Sequence, residues 1–280
     1  MKKKITETEI PANDEKAHTD LTVQVPLKTV TAKMPVHPAI IAVWASVIAA
    51  GYLLPAFPVL GTGGTFSFSN VLSPLAGIFF GPLAGALCSA VGGFIGSLIA
   101  PHTAWMGFGT FIIGTVTAFT AGCVAWGKWP AVNISRNGNF VINGAIIIYI
   151  TGTILWFTQE IGRSVILIPL VFYGLGFAVM MSGIILSPFL FNSAKRVLKF
   201  PAIWICSFAG LVGGASVGNF FSLVLYKIPK DIWTVLTVTA PVERAVFALG
   251  AALVGVPLLI GLNKIGIFAG PPNNDEENQE

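Results

Sequence analysis

Long apolar segments separated by short polar ones make up most of this chain. One of them, residues 66–101, contains no Lys, Arg, Asp, Glu or His. A helix needs about 20 apolar residues to cross roughly 30 Å of hydrocarbon, and several segments approach that length. Because the segments are continuous, and do not alternate in polarity over about ten residues, they predict membrane helices and not a transmembrane β-barrel.

The segments predict an all-α polytopic membrane bundle of six to eight helices. In the eight-helix form, two helices share residues 66–101, and the others occupy 38–57, 108–127, 140–158, 164–191, 201–226 and 240–262. The transmembrane helical domain is therefore expected at 38–265. We expect the polar segment 1–37 to be a flexible cytoplasmic tail, and the acidic segment 266–280 to be a disordered one.

A break is predicted inside the 66–101 segment at Gly81-Pro82. Pro82 has no backbone N–H and disfavours a helical conformation of the residue before it, so two helices should meet there in a tight corner. Glycines recur at four-residue intervals on either side, at Gly77, Gly81 and Gly85 and again at Gly92 and Gly96. This spacing exposes backbone on one helix face and predicts close packing against neighbouring helices.

The first predicted helix carries a pair of small residues at the same spacing, Ala45 and Ala49. An Ala-x-x-x-Ala face allows close approach of a second helix. The pair is a candidate docking face for a partner protein, and intramolecular packing is the alternative.

Composition supports the membrane assignment, since 54% of the residues are hydrophobic and only 10% are charged, against about 25% charged in soluble domains. The net charge of +4 comes with no basic stripe interleaved with aromatic residues, so nucleic-acid binding is not expected. The cysteines Cys88, Cys123 and Cys206 stand alone in apolar segments without a C-x-x-C pair. We interpret them as buried reduced thiols, not as a disulfide or a metal site, and expect no cofactor.

Basic residues are more numerous on the side of the predicted bundle that holds both termini. The positive-inside rule then places both termini in the cytoplasm of a multi-pass cell-membrane protein. The opposite, outer face would gather the glycine-rich loop 58–69, His102, the turn that contains Glu160, and the segment before the last helix.

A binding cavity is predicted on this outer face, mostly apolar with a few polar groups and roofed by the 58–69 loop, unless that loop is a plain connector. The candidate substrate-binding residues lie in the loops of that face: Asn70, Trp105, Glu160, Arg163 and Trp233. The tryptophans would stack on a planar ligand, and the other three would supply hydrogen bonds or charge.

Two acidic–basic pairs occur on this face. Glu160 and Arg163 are three residues apart and can meet on one helical face, where they would pair with each other or face a polar cavity; an interfacial salt bridge is the alternative to a substrate contact. Glu243 and Arg244 fall in the first turn of a helix predicted to open at Pro241. A helix N-terminus accepts a glutamate there for electrostatic reasons alone.

The segment SPLAGIFFGPLAGALCSAVGGFIGSLIAP resembles the second and third helices of the substrate-binding S components of energy-coupling-factor (ECF) vitamin transporters. Members of that family commonly show an LAG-x-x-FGPLAGA core at this place. The segment PVERAVFALGAALVGVPLLIGL is similar to the last helix of the family. Ala45 and Ala49 match the A-x-x-x-A face through which S components dock on a transmembrane coupling subunit.

The resemblance covers roughly residues 38–127 and 200–264. It implies a binding subunit and not an enzyme: a protein that captures a vitamin-like micronutrient outside and delivers it inward with a coupling subunit and ATP-binding subunits. No Walker A pattern occurs in the sequence, so ATP hydrolysis would fall to a partner. S components usually have six helices, and the 140–191 segment is the expected extra hairpin.

Three other classes of function stay open at this point. An autonomous secondary transporter of a small organic solute predicts internal repeats and ionisable residues at mid-membrane depth. A membrane-embedded enzyme predicts a nucleophile, a metal or an acid–base constellation. A structural scaffold predicts no cavity.

Overall fold

The computed structural model describes residues 36–59, 64–127, 132–133, 141–166 and 169–271. The predicted tail at 1–37 lies almost entirely outside these residues, as does most of the 266–280 tail. Four helical stretches are long and apolar enough to cross a membrane. They are Pro82–Ile99, Leu170–Asn192, Arg196–Tyr226 and Val238–Lys264. This part of the chain is a membrane-embedded protein of the predicted all-α class.

The secondary structure consists of α-helices with two short β-hairpins. The helices are α1 (Pro38–Tyr52), α2 (Ser69–Phe80), α3 (Pro82–Ile99), α4 (Thr110–Trp126), α5 (Gly144–Thr158), α6 (Glu160–Ser164), α7 (Gly174–Asn192), α8 (Lys199–Tyr226) and α9 (Lys230–Lys264). One hairpin pairs β1 (Pro55–Pro58) with β2 (Thr65–Ser67), and the other pairs β3 (Val132–Asn133) with β4 (Val141–Ile142). A π-helical turn at Pro169–Tyr173 precedes α7, and single 3-10 turns lie at Gly107–Gly109 and Arg196–Leu198.

The corner between α2 and α3 confirms the predicted break. Gly81 has φ 86° and ψ 169°, a conformation that an L-residue rarely adopts, and Pro82 is the first residue of α3. The indole of Trp126 in α4 packs beside this corner and donates a hydrogen bond to the carbonyl of Ile78 at 3.1 Å. The corner therefore lets the two helices fold back on each other against α4.

The glycine spacing also has its predicted effect on packing. A Cβ added at Gly77 would overlap the backbone carbonyl of Ala118 in α4, and one at Gly92 would overlap the carbonyl of Ala45 in α1. Backbones approach to this distance only where a side chain is absent. The segment 66–101 thus brings α1 and α4 into direct contact with its two helices.

Helix α8 lies at the centre of the bundle, in contact with α2, α4, α5, α7 and α9. Its glycines allow α4 to approach, because a Cβ at Gly214 would overlap the hydroxyl of Thr117 and one at Gly210 would meet the Thr117 carbonyl at 2.7 Å. The second half of α8 is therefore held next to the beginning of α4. That contact is one side of the cavity described below.

Two predicted boundaries are wrong, and both affect the site. Helix α1 ends at Tyr52 and not at 57, and the chain then forms the β1–β2 hairpin, where the end of the helix and a loop were expected. Helix α9 begins at Lys230, about three turns before the predicted start at 240. Pro241 lies inside this helix and does not open it; membrane helices tolerate proline because neighbouring groups satisfy the freed backbone carbonyl.

Candidate functional site

A cavity of about 70 Å³ lies at the end of the bundle where α1 ends and α2 and α4 begin. The second half of α8 and the first half of α9 form its other sides, and residues of the β1–β2 hairpin line it from above. A single water needs roughly 10–15 Å³ measured in this way, so the cavity holds several water-sized groups. A cavity was expected next to the 58–69 segment, and Val59, Phe66 and Ser67 of that segment line this one.

Hydroxyl and amide groups form much of the lining. They come from Ser67, Ser69, Asn70, Ser73, Thr103, Thr110, Thr117, Asn219 and Ser222. Some are fixed by local hydrogen bonds: the Ser67 and Ser69 hydroxyls bond to each other, and the Asn70 amide donates to the Ser67 carbonyl at 3.1 Å. Ligand sites typically combine an apolar wall with convergent hydrogen-bonding groups, and this cavity has both.

Aromatic rings line the mouth of the cavity. The Phe66 and Trp105 rings meet edge to face at 5.9 Å, and Trp105 stacks on Tyr226 at 6.2 Å. The Tyr226 hydroxyl also donates to the Trp105 carbonyl. The hairpin is fastened to the same segment, because the Thr65 hydroxyl donates to the carbonyl of the exposed His102 at 3.2 Å. The hairpin and the 101–107 segment thus form one continuous cover.

Trp233 lies on the opposite wall, at the start of α9. Its indole N–H donates to the Ile228 carbonyl at 3.2 Å, and its ring meets the edge of Trp156 at 4.9 Å. Trp156 donates in turn to the Gly162 carbonyl at 2.9 Å. This chain of contacts connects the cavity wall to α5 and α6.

The predicted extra hairpin, residues 140–191, contributes to the same wall. Phe172, in the π-helical turn, lines the cavity, and the neighbouring Tyr173 hydroxyl accepts a hydrogen bond from the Asn219 amide at 3.2 Å. Single π-turns often occur at functional sites because they reorient side chains within a helix. The 140–191 segment therefore contributes directly to the lining of the cavity.

Glu243 and Arg244 are the charged groups in the described lining of the cavity. Their side chains are 19% and 12% exposed, and one guanidinium nitrogen lies 3.4 Å from a Glu243 carboxylate oxygen. The Phe66 ring covers the guanidinium at 4.8 Å. Because α9 begins at Lys230, the pair lies in about the fourth turn and not the first, so the helix N-terminus does not account for Glu243.

Three of the five candidate binding residues line the cavity: Asn70, Trp105 and Trp233. Glu160 and Arg163 do not. Both are exposed, and among the described residues neither takes part in an ion pair. The reason is the orientation of α6: a Cβ at Gly162 would overlap the Trp156 carbonyl, so the glycine faces the protein and the charged residues face away from it.

Ala45 and Ala49 are 3% and 6% exposed, and α3 covers their face of α1. The overlap that a Cβ at Gly92 would make with the Ala45 carbonyl shows how closely the two helices pack. The pair therefore serves intramolecular packing, and docking through these two side chains would require α1 to separate from α3. Small residues also occupy the exposed face of α1, at Ala42, Ser46 and Ala50.

The three cysteines are free and buried, as predicted. Within the described ranges, no group of three or more His, Cys, Asp or Glu side chains is placed to hold a metal ion. The chemistry that the cavity offers is thus hydrogen bonding, stacking and one acid–arginine pair.

Comparison with known proteins adds no assignment to this geometry. No protein family, no curated protein and no solved structure matches the chain. The function is therefore argued from the cavity and from the sequence.

Proposed function

We propose that the chain is the substrate-capture subunit of an ECF-type importer, which binds a vitamin-like micronutrient at the outer face of the membrane. The observation that carries the proposal is the polar, aromatic-lined cavity at one end of an apolar helical bundle. Residues of the hairpin that follows α1 line it, and the sequence predicted a binding cavity at that loop. A scaffold protein has no need of such a cavity.

The exposed face of α1 supports the second part of the proposal, docking on a coupling subunit. Ala42, Ser46 and Ala50 are exposed at four-residue spacing, and the Ser46 hydroxyl is satisfied by the Ala42 carbonyl at 2.9 Å. A face of small residues without unsatisfied polar groups lets another membrane helix approach closely. We therefore assign docking to this face instead of the buried Ala45 and Ala49.

Solute retention tests the capture function. The chain is purified in mild detergent, and the small molecules that it retains are identified by mass spectrometry. Ala240 lines the cavity, so Ala240→Phe should fill part of it and reduce the retained amount. Ala178→Phe places the same ring on an exposed face of α7 and is the matched control. Equal retention by both variants would contradict capture in this cavity.

Docking is tested by measuring whether the ATP-binding subunits co-purify with the chain. Ser46→Trp should abolish the ATPase activity that co-purifies with the tagged chain from its native membranes. Ser182→Trp, at an exposed position of α7, should leave it unchanged. If both variants keep the ATPase, the face on α1 is not the docking surface.

One observation favours a second candidate, an autonomous secondary transporter. Glu243 and Arg244 lie inside a candidate membrane span, and ionisable residues there often mark transport pathways. The two functions differ in a vesicle experiment. The chain alone, reconstituted in liposomes, should bind its solute without accumulating it, whereas a secondary transporter would drive accumulation from an ion gradient.

A further inference from the structure

The pair of Glu243 and Arg244 makes few bonds for its burial. Among the described residues its one hydrogen bond, at 3.4 Å, is near the upper limit of such a bond. Removing two charges from water costs several kcal/mol per ion unless their remaining bonding capacity is also satisfied. The pair is therefore incomplete in the structure as it stands, and a bound molecule could complete it.

Arg244 has donors to spare. A guanidinium carries five N–H groups in a planar fork, and among the described residues the bond to Glu243 is the only one that it makes. One face of the plane is covered by Phe66, at 4.8 Å from the ring centroid. A ring at that face leaves the edge of the guanidinium, where the N–H groups point, available to an acceptor.

Glu243 has acceptors to spare in the same way. An ionised carboxylate offers about four lone-pair sites, and in the described structure its recorded partner is Arg244. Successive residues of a helix point in different directions, yet both of these side chains line the cavity. The cavity thus presents an unused acceptor beside an unused donor.

The charges of the pair sum to zero, and the other described lining residues are hydroxyl, amide, aromatic and aliphatic. A ligand with a net charge would leave that charge without an opposite partner beside the neutral pair, which is costly away from bulk water. A neutral ligand avoids this cost if it places an acceptor against Arg244 and a donor against Glu243. A ring lactam, with a carbonyl next to an N–H, has that pattern along one edge.

We propose that the cavity holds an uncharged planar heterocycle by its lactam edge, with the ring carbonyl accepting from Arg244 and the ring N–H donating to Glu243. The rings of Phe66 and Trp105 supply stacking surface at the mouth. The volume of about 70 Å³ is small beside the roughly 300–1,000 Å³ of typical ligand pockets, so only the lactam edge enters the cavity and the rest of the ligand lies against the aromatic residues. The inference rests on the proposed function, because it takes the cavity to be the place where the solute is held.

The test uses three lactam probes: uracil, hypoxanthine and riboflavin. Binding to the purified full chain is measured by isothermal titration calorimetry, beside the derivative of each probe that is methylated at every lactam ring nitrogen, which for uracil means both ring nitrogens. At least one parent probe should bind, and its methylated derivative should bind about tenfold more weakly or worse, since a hydrogen bond to a charged group is lost. Biotin, an anion, and thiamine, a cation, should not compete.

Two variants connect the binding to the pair. Glu243→Gln should weaken the parent probe by about tenfold and leave the methylated derivative nearly unchanged. Arg244→Lys keeps the charge but loses the planar fork, so it should also weaken the parent probe. Glu160→Gln and Arg163→Lys make the same chemical changes outside the cavity and should have no effect. Gel filtration and thermal unfolding verify that each variant is folded.

The outcomes separate this inference from the proposed function. If none of the lactam probes binds, or if biotin or thiamine binds through Arg244 and Glu243, the lactam inference is overturned. A purified chain that retains a solute of another chemistry still supports capture while overturning the lactam edge. A chain that retains no solute contradicts the proposed function itself.

Discussion

The molecule contains two acid–arginine pairs that look alike in sequence and differ in almost every physical respect. Glu160 and Arg163 have the spacing that favours contact on a helix, yet they lie exposed on the five-residue helix α6 and form no ion pair with any residue that the structure describes. Glu243 and Arg244 are adjacent in a helix of 35 residues, and their side chains are in contact and only 19% and 12% exposed at the cavity. Spacing therefore did not decide which pair belongs to the site.

Surroundings account for the difference. Gly162 packs on the Trp156 carbonyl and turns its charged neighbours outward, where water solvates them at little cost. Helix α9 packs beside α8, and Glu243 and Arg244 are largely withdrawn from water at the cavity, where Phe66 covers the Arg244 guanidinium. Withdrawing a charge from water costs free energy, so such a charge often has a function. A charge that water solvates carries no such indication.

The largest expected difference between the pairs concerns the loss of a single arginine. Arg244→Ala leaves the Glu243 carboxylate buried without its partner, which should lower the free energy of unfolding by about 3–5 kcal/mol. Arg163→Ala, at an exposed position, should change it by no more than about 0.5 kcal/mol. Unfolding in detergent, followed by circular dichroism, measures both. Equal losses would remove the distinction drawn here.

The next difference concerns neutralising both members of a pair. Glu243→Gln with Arg244→Gln leaves no unpaired charge, so stability should change much less than in Arg244→Ala. Retention of the solute should nevertheless fall by about tenfold or more, because two charged bonding groups are lost. The matched double variant, Glu160→Gln with Arg163→Gln, should retain the solute fully. Mass spectrometry of the purified proteins reports the amounts.

A smaller effect is expected from the ring that covers the buried pair. Phe66→Leu removes the cation–π contact with Arg244 and should lower the free energy of unfolding by about 0.5–2 kcal/mol beyond the loss of ring area. In the background of Glu243→Gln with Arg244→Gln, that additional loss should disappear. Phe57→Leu is the control, since Phe57 contacts Phe247 at 5.2 Å but not the arginine. A loss that persists without the charge would show that Phe66 acts by packing alone.

Chemical labelling sharpens the comparison without disturbing the fold. A thiol introduced by Arg163→Cys should react with a membrane-impermeant maleimide added to whole cells, and one introduced by Lys195→Cys should react only after the cells are opened. The native cysteines are buried and give little background. This labelling pattern follows from the predicted orientation with both termini in the cytoplasm. The reverse labelling pattern would show that the orientation is the opposite one.

Much of the fold could be predicted from the chain because its causes are local. Pro82 begins α3 at the residue after Gly81, and Gly81 supplies the positive φ at the corner. The glycine spacing predicted close packing for the same reason, since a missing side chain exposes backbone in any environment. The start of α9 could not be predicted in this way, because Pro241 lies inside a helix that its neighbours support.

The candidate site shows the same division. Asn70, Trp105 and Trp233 were named from their places in loops at one face, and the cavity lies between those loops. Phe172 was missed because its role depends on a π-helical turn, for which the sequence carries no clear signal. Glu243 and Arg244 were noticed, but the sequence placed them in the first turn of a helix, and the structure places them in about the fourth turn because α9 begins at Lys230.

The sequence alone determined that this protein lies in a membrane and where its α2–α3 corner falls. The length of the apolar segments, the proline and the glycines act there through local chemistry. The sequence also determined that 66–101 would fold as a broken, glycine-lined pair of helices inside an apolar bundle. Only the tertiary structure decided which charges are buried, which small-residue face of α1 is exposed, and which ring covers Arg244. Those properties depend on neighbours that are distant in the chain, and no local pattern encodes them.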